Sequence, residues 1–270
     1  MRDALGTTTP VDVRPWPHDP SIAHLILLDI AVVPAPGEID RWVDDLFTHG
    51  RRPDGSPLDP PPPTPTSPVS AVGAEASAIG GTVPVEAVRT GALFPDAADV
   101  FADCGFVPID RLALLERTIP VTDALPRPVP PEGVRLRRLR RRHLGTAADL
   151  DAASFEDGWR NDAASLTEIQ SATPRSLARL ALLDRRPVGM ALTGKAGPTG
   201  YLQRLAVITA ARRRGLARLL VADSLRWLQR HGATNALVNT GVDNHAALAL
   251  YDAAGFRRRS DQLVVMERRR

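Results

Sequence analysis

Residues 204–256 constrain the fold of this chain more than any other stretch. An apolar strand runs into three consecutive arginines and a glycine, and an amphipathic helix follows; a second strand and a second helix then end at Gly255-Phe256. The N-terminus of a helix carries unpaired backbone N–H groups and the positive end of the helix dipole, and both attract anions. The pattern therefore predicts an α/β architecture with a phosphate-binding turn.

The turn and the first helix form the predicted anion site. Residues 216–231 have helical apolar spacing through Leu216, Leu219 and Leu228. Gly215 allows a positive φ and a close approach of the backbone to a ligand, and residues 212–214 add positive charge. No Gly-Lys-Ser/Thr follows, so the turn is not a Walker loop. A solvated basic corner is the alternative interpretation.

The second helix carries Tyr251. Asp243 or Asn244 is a suitable N-cap. Tyr251 follows Asn244 by two helical turns, so both lie on one face, and Ala247 between them leaves room for a slim ligand. The alternative is an ordinary core tyrosine whose hydroxyl bonds to the backbone.

Together the two segments give a specific resemblance. Residues 134–270 resemble the GNAT superfamily of N-acetyltransferases. Arg212-x-x-Gly215-x-Ala217 matches the superfamily's Q/R-x-x-G-x-G/A loop, which binds the pyrophosphate of an acyl-CoA. Asn244-x-x-Ala247-x-x-x-Tyr251-x-x-x-Gly255-Phe256 matches the superfamily's downstream helix motif, and Leu205-Ala-Val207 matches the preceding strand.

The resemblance implies acetyl-CoA as co-substrate and an amine as acceptor. The thioester would lie where strands 201–208 and 235–240 splay apart, a backbone N–H near 205–207 would polarise its carbonyl, and Tyr251 would protonate the leaving thiolate as the catalytic acid. The base stays open among Glu156, Glu168 and a water on Gln203. The implied acetyl-CoA-binding residues are Leu205, Ala206, Val207, Arg212, Arg213, Arg214, Gly215, Leu216, Ala217, Arg218, Asn244, Ala247 and Tyr251.

The order of elements predicts the fold class. After residue 133 the pattern reads β-α-α-β-β-β-α-β-α-β, which favours a mixed sheet with helices on both faces. We therefore expect a mixed α/β fold with a GNAT-type central sheet in residues 134–270. A smaller, degenerate GNAT-like α/β domain in residues 1–130 is expected to precede it. The proline-rich residues 120–133 are the predicted linker, and residues 51–68 a proline-rich loop.

An internal repeat supports a tandem arrangement, with chance similarity as the alternative. Residues 97–117 align with residues 247–268, each a helix, a Gly-Phe pair and a strand. The first copy has neither the arginine-glycine turn nor a tyrosine, so one active site is expected. The alignment places Phe101 on Tyr251, Gly105 on Gly255 and Phe106 on Phe256.

Composition excludes several other classes. The chain of 270 residues has a formal net charge of only +3, so we do not expect nucleic-acid binding, despite the arginine run at 135–142. The single Cys104 excludes an internal disulfide and is interpreted as structural, and the histidines show no metal-ligand spacing. No membrane-spanning run or signal segment is present, so we expect a cytoplasmic protein. Residues 1–20 are expected to be a loose leader and residues 22–33 a core strand.

Two function classes remain. The first is an acetyl-CoA-dependent N-acetyltransferase with one C-terminal site, and the second is a non-catalytic acyl-CoA-binding or sensing module. The acidic Glu156, Asp157 and Asp162 near the expected acceptor entrance hint at a cationic amine, although exposed acids usually have no specific role. The acceptor and the oligomeric state stay open.

Overall fold

A computed structural model describes residues 9–17, 19–28, 32–58 and 84–270. The chain forms two compact units. The first comprises the residues up to Asp110 together with Leu263–Arg270, and the second comprises Arg111–Gln262. The chain therefore passes from one unit to the other within the strand Val107–Thr118, and back within the strand Arg257–Arg269.

The first unit consists of paired strands and two helices that share one apolar core. β1 pairs antiparallel with β2, β2 pairs parallel with β3, and β3 pairs antiparallel with the end of β10. The helices bury Ile39, Trp42 and Phe101 in the core of this unit. The elements are β1 (Val11–Trp16), β2 (Asp19–Leu27), α1 (Pro36–His49), β3 (Ala87–Thr90), α2 (Pro95–Asp103), the start of β4 (Val107–Thr118) and the end of β10 (Arg257–Arg269).

The second unit confirms the predicted order of elements. Its strands lie in the order β4-β9-β8-β7-β6-β5, and only β8 and β9 run parallel. Between the remainder of β4 and the start of β10, the elements are β5 (Val134–Arg138), α3 (Leu144–Ala152), α4 (Ala163–Ser171), β6 (Arg175–Leu183), β7 (Arg186–Ala196), β8 (Thr199–Val207), α5 (Leu216–Arg230), β9 (Asn235–Gly241) and α6 (His245–Ala253).

Helices cover both faces of the sheet within the second unit, as predicted. Successive side chains of a strand point to opposite faces. Leu180 and Leu192 accordingly pack with the apolar side chains of α3 and α4, whereas the neighbouring Ala181 and Ala191 pack with those of α5. The mixed α/β class is therefore confirmed.

Two predictions for the N-terminal segment are wrong. Residues 1–20 are not all a leader, because residues 11–16 and 19–27 pair as a hairpin. Prolines suggested a loose segment, but among the described strands β1 pairs with β2 alone, and an edge strand tolerates proline. Pro15 stands at a register shift. The predicted strand 22–33 ends at Leu27. Residues 29–31 and the greater part of the proline-rich loop, 59–68, lie outside the described residues.

The two helix-to-strand junctions of the predicted repeat share one geometry. Gly105 and Gly255 have φ of 82° and 80°. The Phe101 and Phe106 rings lie 5.0 Å apart, and those of Tyr251 and Phe256 lie 5.7 Å apart. In each unit an arginine caps the helix, and it comes from the strand that follows the other helix: Arg268 donates to the Cys104 carbonyl and Arg117 to the Ala254 carbonyl.

Residues 120–133 form no helix or strand, yet they are fixed to α5 within the second unit. Gln229 Nε2 donates to the carbonyls of Pro120 and Asp123 over 2.7 and 2.8 Å, and Gln229 Oε1 accepts from the N–H of Leu125 over 2.7 Å. The compact units thus divide the chain within β4 and β10 instead, and the assignment of domains to 1–130 and 134–270 stays a prediction. None of the described helices is long and apolar enough to cross a bilayer.

Candidate functional site

The turn before α5 exposes a run of backbone donors. Arg213 has a φ of 64° and Gly215 a φ of 77°, and a positive φ is uncommon for a residue such as arginine. The first backbone bond at this helix end runs from Leu219 N to Gly215 O. Within the described part of the chain, the N–H groups of residues 213–218 have no hydrogen-bond acceptor. The positive end of α5 therefore presents consecutive donors to a ligand.

The arginines around this turn are not neutralised by acids. Arg212 Nε donates to the Val207 carbonyl over 3.2 Å. No carboxylate of a described residue lies within salt-bridge distance of Arg212, Arg213, Arg214 or Arg218, and the first turn of α5 contains no acid. Guanidinium groups and helix N-termini both bind phosphate oxygens well. The turn therefore has the charge and the donors that a pyrophosphate requires.

A pocket of about 440 Å³ lies between this turn and α6. One face of α6, at helical spacing i, i+3, i+4 and i+7, forms its second wall. Three of these four residues are alanines, which keep the wall shallow. The lining residues are Val207, Ala211, Arg212, Arg213, Gly215, Leu216, Ala217 and Arg218 from the turn side, and Ala246, Ala249, Leu250 and Ala253 from α6. The sequence analysis missed the α6 wall, although the spacing of its alanines is visible in the sequence.

The α6 residues named from the sequence have other surroundings. The side chain of Asn244 caps α6 by accepting from Ala247 N over 3.2 Å. Ala247 packs against the same apolar cluster as Tyr251. Tyr251 is 5% exposed, and burial raises the pKa of its hydroxyl to about 12. None of the described residues hydrogen-bonds to that hydroxyl, so it lacks the backbone partner expected of an ordinary core tyrosine.

Strands β8 and β9 separate beside the pocket. Their parallel pairing ends at Tyr201 opposite Leu237, while β8 continues to Val207. Beyond Tyr201 the edge of β8 that faces β9 therefore has no strand partner among the described residues through Leu205, Ala206 and Val207, and one acceptor there, the Val207 carbonyl, is occupied by Arg212 Nε. A β-bulge on β8 lies in the same region, because Leu192 pairs with Arg204 and Thr193 pairs with Leu202. A gap is thus present where the resemblance placed the thioester.

A buried ion pair fixes β8 next to the bulge. Arg204 Nε and Nη2 contact the carboxylate of Asp151 at 2.6 and 2.7 Å, and Nη2 also donates to the Trp159 carbonyl at 2.7 Å. The guanidinium carbon lies 3.4 Å from the centre of the Phe155 ring. Asp151 is fully buried. The pair connects α3 and the loop after it to β8, and the sequence analysis did not find it.

The acids proposed at the acceptor entrance have mostly local partners. Asp157 pairs with Arg160 at 2.5 Å. Asp162 Oδ1 accepts from Ser165 N at 2.8 Å and caps α4. Asp157 and Asp162 therefore do not support the expectation of a cationic acceptor.

The fold and the turn define a GNAT-type domain, and comparisons with known proteins agree. Residues 138–256 match the Acetyltransferase (GNAT) family. The chain therefore contains a domain of the GNAT family, which confirms the resemblance seen in the sequence.

Two curated relatives are mycothiol acetyltransferases. The one from Catenulispora acidiphila is 27% identical over 197 residues, which are 68% of this chain and 62% of that protein. The one from Rhodococcus jostii (strain RHA1) is 31% identical over 186 residues, 61% of this chain and 58% of that protein. The chain thus spans less than two thirds of the length of either relative.

A solved structure shows the same fold over most of the chain. The GCN5-related N-acetyltransferase from Kribbella flavida covers 91% of this chain and 80% of its own, with a TM-score of 0.55 and 16% identity. At that identity the likeness establishes the fold alone.

Proposed function

We propose that this protein is an acetyl-CoA-dependent N-acetyltransferase that acts on an amine, with one active site in the second unit. One observation carries the proposal: the unneutralised arginines and unpaired N–H groups at the start of α5 adjoin the unpaired edge of β8. The first feature fits a pyrophosphate and the second fits an extended amide chain. The GNAT match and the two acetyltransferase relatives support the same conclusion.

The residues present fit acetyl-CoA. Residues 213–218 would hold the pyrophosphate through backbone N–H groups, with the Arg212–Arg214 guanidinium groups adding charge. The alanine wall of α6 leaves width for the chain that leads away from the pyrophosphate. The edge of β8 at Leu205–Val207 that has no strand partner would pair with the pantetheine amides. Acetyl-CoA, when bound, supplies an acetyl group activated as a thioester.

Two groups of the chain would then take part in the reaction. A backbone N–H of residues 205–207 donates to the carbonyl oxygen on which negative charge develops. Tyr251 holds a proton on Oη for the sulfur that leaves. A thiol ordinarily has a pKa of about 8.5. Since burial raises the pKa of Tyr251 to about 12, its hydroxyl stays protonated at neutral pH and donates a hydrogen bond to the thiolate.

The pH dependence of kcat tests this role of Tyr251. An acid works while it is protonated and stops working as the pH rises through its pKa. Because the pKa of Tyr251 is raised to about 12, we expect no fall in kcat from this group between about pH 8 and pH 10. Stopped assays of thiol release at saturating acetyl-CoA would measure it. A decline in kcat centred below about pH 10 that is absent from Tyr251→Phe would mean that Tyr251 is the acid but that its pKa is not raised; a decline that persists in Tyr251→Phe would belong to another group.

Charge reversal at the two ends of α5 tests the pyrophosphate site. Arg213→Glu at the turn is expected to raise the Kd for acetyl-CoA by about 10- to 100-fold, since a hydrogen bond to a charged group contributes about 1.5–3 kcal/mol. Arg230→Glu, exposed at the other end of α5, changes the net charge equally and should leave the Kd unchanged. Calorimetric titration measures both constants. Equal losses in the two variants would mean that only net charge matters.

The alternative, a non-catalytic acyl-CoA-binding module, makes a different prediction. Such a module would bind acetyl-CoA with the same dependence on Arg213, because the turn is identical. Thiol release in the presence of a panel of primary amines and peptide N-termini separates the two. Tight binding without amine-dependent thiol release from any acceptor would favour the binding module.

A further inference from the structure

The carboxamide of Gln203 has no hydrogen-bond partner in the described part of the chain. Its Oε1 is buried and unbonded, and the one other such buried side-chain atom among the described residues is Arg52 Nε in the first unit. Burying an acceptor without a donor costs free energy, so unbonded buried polar atoms are rare and often mark functional positions. The unbonded Oε1 of Gln203 is therefore the feature of the second unit that requires a functional explanation.

Gln203 is the extra residue of the bulge on β8. Arg204 pairs with Leu192 and Leu202 pairs with Thr193, so Gln203 itself has no partner on β7. A bulge re-aims a side chain and is common next to active sites. Gln203 lies between the last β8–β9 pair at Tyr201 and the unpaired edge that begins the proposed acetyl-CoA site. The bulge thus places the backbone of Gln203 next to the gap.

Gly194 makes room for the carboxamide. A Cβ on Gly194 would lie 2.8 Å from Gln203 Cδ and Oε1, and 2.4 Å from Thr173 Oγ1. The carboxamide therefore covers bare backbone of β7 on the side of the α4–β6 connection. A Cβ on Gly200 would instead meet Leu228 of α5 at 2.4 Å, so α5 lies on the other face. The Thr173 hydroxyl is engaged elsewhere, because it donates to the Arg175 carbonyl at 3.0 Å.

We propose that Gln203 recognises the acceptor amine, with Oε1 accepting a hydrogen bond from an N–H of the attacking nitrogen. This inference rests on the proposed acetyltransferase function and assigns its substrate side. No hydrogen bond holds the carboxamide, and its terminal torsion has a broad, shallow energy profile. The carboxamide can therefore turn without breaking a hydrogen bond when an amine N–H approaches.

The chemistry favours a primary amine. A primary amine has two hydrogens, so one can stay bonded to Oε1 while the other is lost as the new N–C bond forms, whereas a secondary amine would have to lose its only N–H. The electron pair of the broken C–S bond leaves with sulfur, which takes a proton from the Tyr251 hydroxyl, and solvent returns a proton to Tyr251. The amine's surplus proton passes to solvent, because a carboxamide is not a base at neutral pH. Gln203 therefore orients the nucleophile without exchanging protons.

Gln203→Leu tests the inference because it replaces the carboxamide, and with it the acceptor oxygen, by an apolar side chain of similar size. We expect the KM for primary amines to rise about 10- to 100-fold, the range for losing a buried hydrogen bond to a polar or charged group. The Kd for acetyl-CoA should stay unchanged. The Tm of the free protein should stay equal or rise, because an unbonded buried acceptor has been removed. Gln203→Glu retains an acceptor oxygen and should restore the amine KM. Gln170→Leu on α4 is the control, and it should change neither constant.

Other outcomes would overturn the inference. An unchanged amine KM in Gln203→Leu would remove Gln203 from acceptor recognition. A lower Tm accompanied by parallel losses of acetyl-CoA and amine binding would show a structural role, such as holding an ordered water. If the unaltered protein releases no thiol with any amine, the proposed function itself fails. If the unaltered protein is active and Gln203→Leu matches it, only the role of Gln203 fails.

Discussion

Tyr251→Phe is expected to lower kcat for acetyl transfer by about 100-fold or more while the Kd for acetyl-CoA stays nearly unchanged. Loss of a positioned acid typically costs about 10²- to 10⁴-fold in rate. The hydroxyl is the one group that the substitution removes, and it has no hydrogen-bond partner among the described residues. Steady-state kinetics with a saturating amine, together with calorimetric titration of acetyl-CoA, measures the two quantities.

The fold should tolerate this substitution. The Tyr251 ring packs edge-on against Phe256, and phenylalanine keeps that contact. At the matching junction of the first unit, Phe101 packs against Phe106 in the same way. The Tm should therefore stay close to that of the unaltered protein. An unchanged kcat would remove Tyr251 from the chemistry, and Tyr201→Phe, which alters the one other tyrosine, would then test Tyr201 as the proton donor.

Local patterns predicted much of the second unit. Apolar periodicity predicted α5. Two apolar runs predicted a hairpin, and its strands are joined by the turn at Asp184-Arg185, where both residues have positive φ. The phosphate-binding turn was visible because glycine and arginine act within a few residues of each other. These features depend on short-range sequence order, so the sequence contains their full signal.

Contacts between distant segments left no such signal. Prolines in residues 120–133 suggested a free linker, but Gln229 binds its backbone from more than a hundred residues away. The passage of the chain between units inside β4 and β10 depends on which strands pair, and composition does not report pairing. Arg204 and Asp151 are 53 residues apart, and the local pattern around either residue does not indicate the other. The helix motif through Asn244 and Tyr251 lies on another face of α6, so it does not indicate the alanine wall.

The buried pair of Arg204 and Asp151 gives the largest expected effect on stability. Arg204→Met should lower the free energy of unfolding by about 3–5 kcal/mol, because it leaves a fully buried carboxylate without its cation. Asp151 would keep the hydrogen bond from the backbone N–H of Asn161, at 2.7 Å. Urea unfolding, followed by circular dichroism, measures the loss. The double variant Arg204→Met/Asp151→Leu should recover most of it, because an apolar pair of similar volume often replaces a buried ion pair at little cost.

The pair of Arg179 and Asp223 is the matched control. Arg179 on β6 contacts Asp223 on α5 at 2.7 Å, but these two side chains are 28% and 20% exposed. Solvent screens a pair of this kind, so Arg179→Met should cost no more than about 1 kcal/mol. Equal losses at Arg179 and Arg204 would show that burial of Asp151 is not the cause. A loss confined to Arg204, with recovery in the double variant, would identify an unpaired buried charge as the cause. Gln203 precedes Arg204 directly, so the same pair holds the strand next to the bulge that contains Gln203.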